Sequence, residues 1–158
     1  MLVLRALDFR SKVTMSFDYL FGRGVSRYIP VERLELAMSR KTGRIRSISL
    51  EGKHLATFRS NGSIAISIYG AELLVKSPSF LENCVVVHEE IESFVSDGLS
   101  VFAKYVVKCG KKVRPGSEVA VLNSNGKVIA VGKAILSAKM IEEFKTGVAV
   151  KVRRGVCK

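Results

Sequence analysis

The sequence has no tryptophan, three prolines, two histidines and three cysteines that stand far apart. Cys84, Cys109 and Cys157 form no C-x-x-C pair, so they fit reduced intracellular thiols better than a disulfide framework or a zinc site. His54 and His88 are each isolated from other ligand types, and neither belongs to a metal-binding pattern. These features predict a protein without disulfides and without a bound metal ion.

Long apolar runs are also missing, since no stretch reaches the roughly 18 apolar residues that a transmembrane helix requires. The first ten residues, MLVLRALDFR, contain Arg5, Asp8 and Arg10 too early to form the core of a signal peptide. The expected location is therefore the cytoplasm, with no membrane attachment.

Recognisable catalytic constellations are absent. Asp8, Asp18 and Asp97 make no paired-carboxylate motif, and the chain has no Walker loop, dinucleotide fingerprint or nucleophile elbow. The sequence therefore predicts a non-catalytic protein without a cofactor.

What the sequence does contain is an excess of positive charge, with 26 Lys and Arg against 14 Asp and Glu. Residues 1–82 and residues 83–158 hold the same numbers, 13 basic and 7 acidic each. Such an excess is typical of proteins that bind a polyanion, above all nucleic acid, although a basic protein without such a partner remains an alternative. A hydrophobic content of 47% is enough for packed cores in both halves.

The first half predicts a helix followed by an antiparallel β-meander. Val13, Phe17, Leu20 and Phe21 recur at spacings of three and four, which indicates an amphipathic helix ending near Gly22. The predicted strands are Leu34–Met38, Ile45–Leu50, His54–Arg59 and Ser63–Tyr69, with a closing helix at Gly70–Lys76. The dipeptides Glu51-Gly52 and Asn61-Gly62 favour two-residue hairpins, and alternation along Ile64–Ile68 predicts one buried and one small polar face.

The first hairpin is the most basic point of this half. Its turn carries Arg40, Lys41, Arg44 and Arg46, with no acidic residue nearby. Such a turn is either simply solvated or a contact to phosphate groups.

The second half predicts about five strands and two short helices in some 75 residues. The strands are Cys84–Val87, Gly98–Val107, Glu118–Leu122, Val128–Leu136 and 148–154, and the helices are Glu89–Val95 and Ala138–Phe144. The first helix is expected to bury Ile91, Phe94 and Val95, and Asn125-Gly126 predicts another tight hairpin. A closed or nearly closed barrel removes the exposed edges that so small a sheet would have.

Alternation within two of these strands predicts a basic groove. In Gly98–Val107, the residues Val101, Ala103, Tyr105 and Val107 share one apolar face, while Phe102, Lys104 and Val106 share the other. In the last strand, Val148, Val150 and Val152 share one face, and Ala149, Lys151 and Arg153 share the other.

The order and spacing of several segments resemble a PUA domain. They are residues 98–107 (GLSVFAKYVV), 114–121 (RPGSEVAV), 131–134 (VGKA) and 147–152 (GVAVKV). In the first half, residues 18–24, 39–46 and 55–59 resemble the module that precedes PUA in archaeosine tRNA-guanine transglycosylases. The resemblance implies an α+β fold, an N-terminal module at residues 1–79 and a PUA-type pseudo-β-barrel at residues 80–158.

The resemblance also implies a function, since PUA domains dock on structured RNA, often the tRNA acceptor stem and its CCA end. The implied groove is lined by Ser100, Phe102, Ala103 and Lys104, faced by Val150, Lys151 and Arg153, with Arg114 at a nearby turn. The catalytic aspartates and the zinc site of the transglycosylases lie in parts that this sequence does not resemble. We therefore expect an RNA-binding protein, most simply for tRNA; the alternative is an accessory subunit of a separate tRNA- or rRNA-modifying enzyme.

Overall fold

The computed structural model describes residues 2–157, with side chains from residue 9 onward. The chain divides into two compact units, unit 1 up to Phe80 and unit 2 from Leu81 onward. Each unit combines helices with one β-sheet, so the predicted α+β class is confirmed.

Unit 1 is a long helix with a four-stranded sheet. Its helices are α1 (Leu2–Phe21), α2 (Ile68–Leu74) and α3 (Pro78–Leu81), and its strands are β1 (Glu35–Met38), β2 (Ile45–Leu50), β3 (Lys53–Phe58) and β4 (Ile64–Ile66). The strands pair in sequence order and antiparallel, which confirms the meander. The helix α1 ends where Gly22 adopts a φ of 127°.

The core of unit 1 is built from phenylalanine rings. Phe17 and Phe21 are one helical turn apart on α1, and their ring centroids lie 5.5 Å from each other. Phe17 also meets Phe58 of β3 edge-on at 6.3 Å, and Phe21 meets Phe80 at 5.7 Å. The Phe17–Phe58 contact fixes α1 to the sheet and the Phe21–Phe80 contact fixes it to α3, because large rings bury much apolar area at one point.

The last strand of the meander is shorter than predicted. It ends at Ile66, because the Ser67 hydroxyl accepts a hydrogen bond from the Gly70 N–H at 3.0 Å and caps α2. All three residues of β4 are buried, so the predicted polar face is wrong.

The Glu51-Gly52 turn has positive φ at both residues, as predicted, whereas only the glycine does so in Asn61-Gly62 and Asn125-Gly126.

Unit 2 is a six-stranded sheet that curls into a nearly closed, barrel-like form. Its strands are β5 (Cys84–Val87), β6 (Val101–Phe102), β7 (Val106–Cys109), β8 (Glu118–Leu122), β9 (Val128–Ala134) and β10 (Val148–Gly155), and its helices are α4 (Glu92–Ser96) and α5 (Ala138–Phe144). The order is β6-β10-β9-β8-β5-β7, with β5 and β8 parallel. Valine and alanine side chains dominate its core.

The two edge strands, β6 and β7, belong to one chain segment that was predicted as a single strand, Gly98–Val107. That prediction is wrong, because a 3₁₀ turn at Ala103–Tyr105 divides the segment. The turn is needed because β6 pairs with β10 while β7 pairs with β5, on the opposite edge. The predicted alternation holds through Lys104 and then fails, leaving Val107 64% exposed.

A short helix lies against the last strand of the barrel. Gly155 permits this contact, since an added Cβ there would collide with the backbone carbonyl oxygen of Ser96 at the end of α4. The Cys157 N–H donates to the same Ser96 oxygen at 2.9 Å. On α4, Val95 is buried but Phe94 is 56% exposed, so the prediction that both face the core is wrong.

Candidate nucleic-acid interface

The pairing of β6 with β10 brings both sides of the predicted groove together. Val101 lies opposite Val150, and Phe102 lies opposite Val148. Ser100 directly precedes β6 and Lys151 directly follows Val150, so antiparallel pairing brings these two residues to the same end of the pair. Phe102 is 48% exposed, and Lys104 and Lys151 are exposed, which leaves one aromatic ring and two ammonium groups at the surface.

Two of the predicted groove residues have buried side chains. Ala103 is 2% exposed and Val150 is fully buried, because both belong to the barrel core. The Ala103 N–H donates to the carbonyl oxygen of Gly147 at 2.9 Å. The side chains of Ala103 and Val150 therefore cannot reach a ligand in this conformation.

The two basic residues predicted on β10 differ in their surroundings. Arg153 donates to both carboxylate oxygens of Glu118, at 2.7 and 2.9 Å. The Glu118 side chain is only 7% exposed, so this two-bonded pair is partly removed from water. Lys151 has no ion-pair partner among the described residues. Of the two, Lys151 is the one with an uncompensated charge.

A further lysine that the sequence reasoning missed lies beside Lys151. In the β9–β10 pairing, Lys133 is directly opposite Lys151. Like charges in this position repel, while Glu118 of β8 lies directly opposite Lys133 on its other side and adds one negative charge to this row. Lys133 is the one exposed residue of β9, and as a charged residue in an otherwise apolar strand it could have been identified from the sequence.

Exposed apolar residues border the β6 side of this surface. Phe94 and Leu99 are each 56% exposed, and the Leu99 N–H donates to the Phe94 carbonyl oxygen at 3.0 Å. With Phe102 they place three apolar side chains around the turn between α4 and β6. Sequence reasoning missed Phe94 and Leu99, because helical spacing alone assigned Phe94 to the core.

A second basic feature of unit 2 is a groove of about 550 Å³ between β7 and α5. Lys104, Lys108, Lys111 and Lys145 line it, and Glu142 is its only acidic lining residue. The Lys104 ammonium lies 4.9 Å from the Tyr105 ring centroid. Lys104 is thus part of this lysine groove, whose lining comes from two stretches of sequence, residues 103–111 and 141–145.

The thiol in the lysine groove is held in its neutral form. Burial raises the pKa of Cys109 to about 11, and the nearby Glu142 carboxylate adds to the effect. Burial likewise raises the pKa of Cys84 to about 12. Both thiols therefore stay protonated near neutral pH, and the reactive thiolate form is suppressed.

The remaining predicted positions lie on turns. Arg114 is exposed at the turn into β8, where its N–H donates to the Ser117 hydroxyl at 3.1 Å. In unit 1, the four basic side chains at the first hairpin are exposed and have no ion-pair partner among the described residues. Within β2, Arg46 points to the opposite face from Ile45.

Over the range 2–157, no helix combines the length and apolar character needed to cross a membrane. In the same range, no three His, Cys, Asp or Glu residues gather where they could hold a metal ion.

Comparison with protein families identifies both units. Residues 83–156 match the PUA domain, and residues 11–80 match the patch-forming domain C2 of tRNA-guanine transglycosylase. The second half of the chain is therefore similar to the PUA domain and the first half to the C2 patch-forming domain, in the order that the sequence resemblance predicted.

Individual relatives agree with this assignment. The tRNA-guanine(15) transglycosylases of Thermococcus onnurineus and Thermococcus kodakarensis are 40% identical over 150 residues and 42% identical over 148 residues. These matches cover 94% and 93% of this chain but 26% and 25% of the relatives, so the chain spans about a quarter of their length. The matched part is C-terminal and excludes their catalytic domain.

A solved structure shares the fold across the whole chain. The crystal structure of a hypothetical protein from Pyrococcus horikoshii superimposes with a TM-score of 0.75 at 22% identity. The superposition covers 96% of this chain and 92% of that one.

Proposed function

We propose that this chain is a non-catalytic RNA-binding protein that recognises structured tRNA at its acceptor stem and CCA end. The observation that carries the proposal is the surface of unit 2, where Phe102 of β6 is exposed beside β10 and Lys151 has no counter-ion among the residues that the structure describes. The PUA match and the transglycosylase relatives support RNA, and tRNA in particular, as the ligand.

The chemistry of this surface suits a folded RNA end. Lysine ammonium groups attract phosphates through a salt-dependent, sequence-independent term. An exposed ring such as Phe102 can stack on an unpaired base, which is where proteins read RNA most readily. A duplex end with a single-stranded overhang offers both features, and the acceptor end of tRNA has this form.

A second candidate function is an accessory subunit that presents RNA to a separate modification enzyme. The observation favouring it is the length of the match, since the curated relatives are named as transglycosylases and this chain spans about a quarter of them. Pull-down from a lysate with and without nuclease distinguishes the two, because association bridged by RNA disappears on digestion.

Filter binding to tRNA across a salt series tests the proposal. Lys104→Glu and Lys151→Glu should each weaken tRNA binding by about tenfold and lower the slope of log K against log salt by about one. Phe102→Ala should weaken binding to a comparable degree without changing the salt slope. Lys127→Glu, an exposed lysine on the β8–β9 hairpin, is the matched control with the same change of charge.

Two results would contradict the proposal. Wild-type affinity for tRNA no better than for random duplex DNA would exclude tRNA recognition. Unchanged binding in both lysine variants would exclude this surface as the contact.

A further inference from the structure

Unit 1 contains a pocket of about 300 Å³ that the proposed tRNA contact of unit 2 does not use. It lies at the end of the sheet where the β1–β2 and β3–β4 turns both occur, since antiparallel pairing brings alternate turns to one end. Gly43 and Gly62, in these turns, have φ of 68° and 88° and no side chain to fill the space. The pocket opens between these turns and α1.

The walls of the pocket are largely apolar and partly aromatic. Phe9 of α1, Ile45 of β2 and Phe58 of β3 line it. Phe58 is held in place by its edge-on contact with the buried Phe17 at 6.3 Å. Two half-buried phenylalanine rings therefore offer their surfaces to a flat apolar group.

Positive charges surround this apolar space. Among the side chains that the structure describes, Lys12, Arg44 and Arg59 line the pocket and no acidic residue does. The Lys12 ammonium lies 5.6 Å from the Phe9 ring centroid. Arg44 and Arg59 have no side-chain ion pair among the described residues. The complementary ligand is therefore a molecule with a flat apolar body and an attached negative charge.

We propose that this pocket binds a single unpaired nucleotide of RNA, with its base against Phe9 and Phe58 and its phosphate at Arg44 and Arg59. This inference rests on the proposed RNA-binding function and gives unit 1 a separate role in it. A volume of about 300 Å³ is at the lower end of ligand pockets, which suits one nucleotide and is too small for a duplex. Aromatic stacking with a cationic groove is the usual means of holding single-stranded RNA.

The test compares a pocket-filling variant with a neighbour on the same helix. Ser16→Trp places a large ring in the pocket from a half-buried position, and Met15→Trp places the same ring on the solvent side, where Met15 is 69% exposed. Arg59→Glu removes a pocket cation, and Lys76→Glu makes the same charge change at an exposed site outside the pocket. Thermal unfolding checks that all four variants are folded.

Two measurements are made on each full-length variant. The first is fluorescence anisotropy with a labelled twelve-nucleotide single-stranded RNA. The second is NMR titration with adenosine 5′-monophosphate, with inorganic phosphate as the comparison. Ser16→Trp and Arg59→Glu should each weaken RNA binding by about tenfold or more, and the controls should bind like the wild type. Adenosine 5′-monophosphate should shift the NMR resonances of residues that line the pocket, and inorganic phosphate alone should leave these resonances unshifted.

Each contrary outcome has a distinct meaning. If Ser16→Trp binds the RNA like the wild type while tRNA binding by unit 2 persists, the pocket inference is wrong and the proposed function stands. Equal shifts from phosphate and from the nucleotide would reduce the site to an anion site and also overturn it. If adenosine 5′-monophosphate binds but neither the twelve-nucleotide RNA nor tRNA does, the proposed function fails.

Discussion

The two units use their phenylalanines in opposite ways. Five of the eight lie in unit 1, where Phe17, Phe21 and Phe80 are buried and hold α1 to the sheet and to α3. The three in unit 2, Phe94, Phe102 and Phe144, are 48–58% exposed. Unit 2 instead packs valine and alanine side chains and lets backbones approach each other closely at glycines such as Gly155.

This difference follows from the two architectures. An open sheet needs large rings to fill the space between it and a single covering helix, whereas a small, nearly closed barrel has room for small side chains only. The rings of unit 2 are therefore not required for its core and remain available to a ligand. Positive net charge is common to both units, but its presentation differs, around an apolar pocket in unit 1 and on an open surface in unit 2.

Phe17→Ala is the substitution expected to lower stability most, and it tests whether unit 1 depends on buried rings more than unit 2 does. Removing this fully buried ring should lower the free energy of unfolding of unit 1 by about 3–5 kcal/mol, through lost burial and the cavity left behind. Denaturant unfolding measures it, and Tyr19→Ala, at an 88% exposed position of the same helix, is the matched control. If the difference between the units is real, Phe102→Ala in unit 2 should cost less than about 1 kcal/mol. Equal losses of unfolding free energy in Phe17→Ala and Phe102→Ala would contradict this difference between the units.

Gly155→Ala tests the dependence of unit 2 on close backbone approach. The added methyl group would collide with the Ser96 carbonyl oxygen, which should destabilise the barrel by about 1–3 kcal/mol. The melting temperature measures the loss, and Val156→Ala, at a 42% exposed neighbour, should leave it nearly unchanged. A melting temperature like that of the wild type would mean that α4 can move away from β10 without cost.

Arg153→Gln and Lys151→Gln compare how much an ion-paired and an exposed basic side chain contribute to the stability of unit 2. The first leaves the nearly buried Glu118 carboxylate without its two-bonded partner and should cost about 1–3 kcal/mol of stability. The second changes an exposed side chain that has no ion pair within the described part of the chain, and it should alter stability by less than about 0.5 kcal/mol. Chemical denaturation gives both values. The opposite order would show that Arg153 is not held by Glu118 in solution.

The smallest expected effect is an alkaline loss of stability confined to unit 2, which holds all three cysteines. Burial raises the pKa of Cys84 from 9.0 to about 12, so the unfolded thiol ionises first. Its contribution to stability is therefore complete below pH 9 and falls as the pH rises from 9 towards 12. Cys84→Ala should show a smaller fall in melting temperature between pH 8 and pH 10 than the wild type. Cys157→Ala, at an exposed site, should behave like the wild type, and identical curves for all three would refute the assignment.

Much of the fold could be predicted from sequence because it depends on neighbouring residues. Spacings of three and four located α1 down to Gly22, and turn dipeptides located the strands of the meander to within a few residues. Strand parity also gave the exposure of Phe102 and Lys104 correctly. These signals are local, since helix periodicity and hairpin turns involve residues only a few positions apart.

Other features were decided by contacts between distant parts of the chain. The break at Ala103–Tyr105 arises because one segment pairs with two different strands on opposite edges of the barrel. Arg153 is engaged because Glu118, 35 positions away, lies beside it. Lys145 joins the three lysines of residues 104–111 in the groove between β7 and α5 for the same reason. The sequence by itself determined which residues are basic, apolar and helical and, through strand parity, that Phe102 is exposed. Only the non-local packing of the barrel decided which charges are compensated and that Phe94 stays exposed, because these depend on strands and helices far apart in sequence.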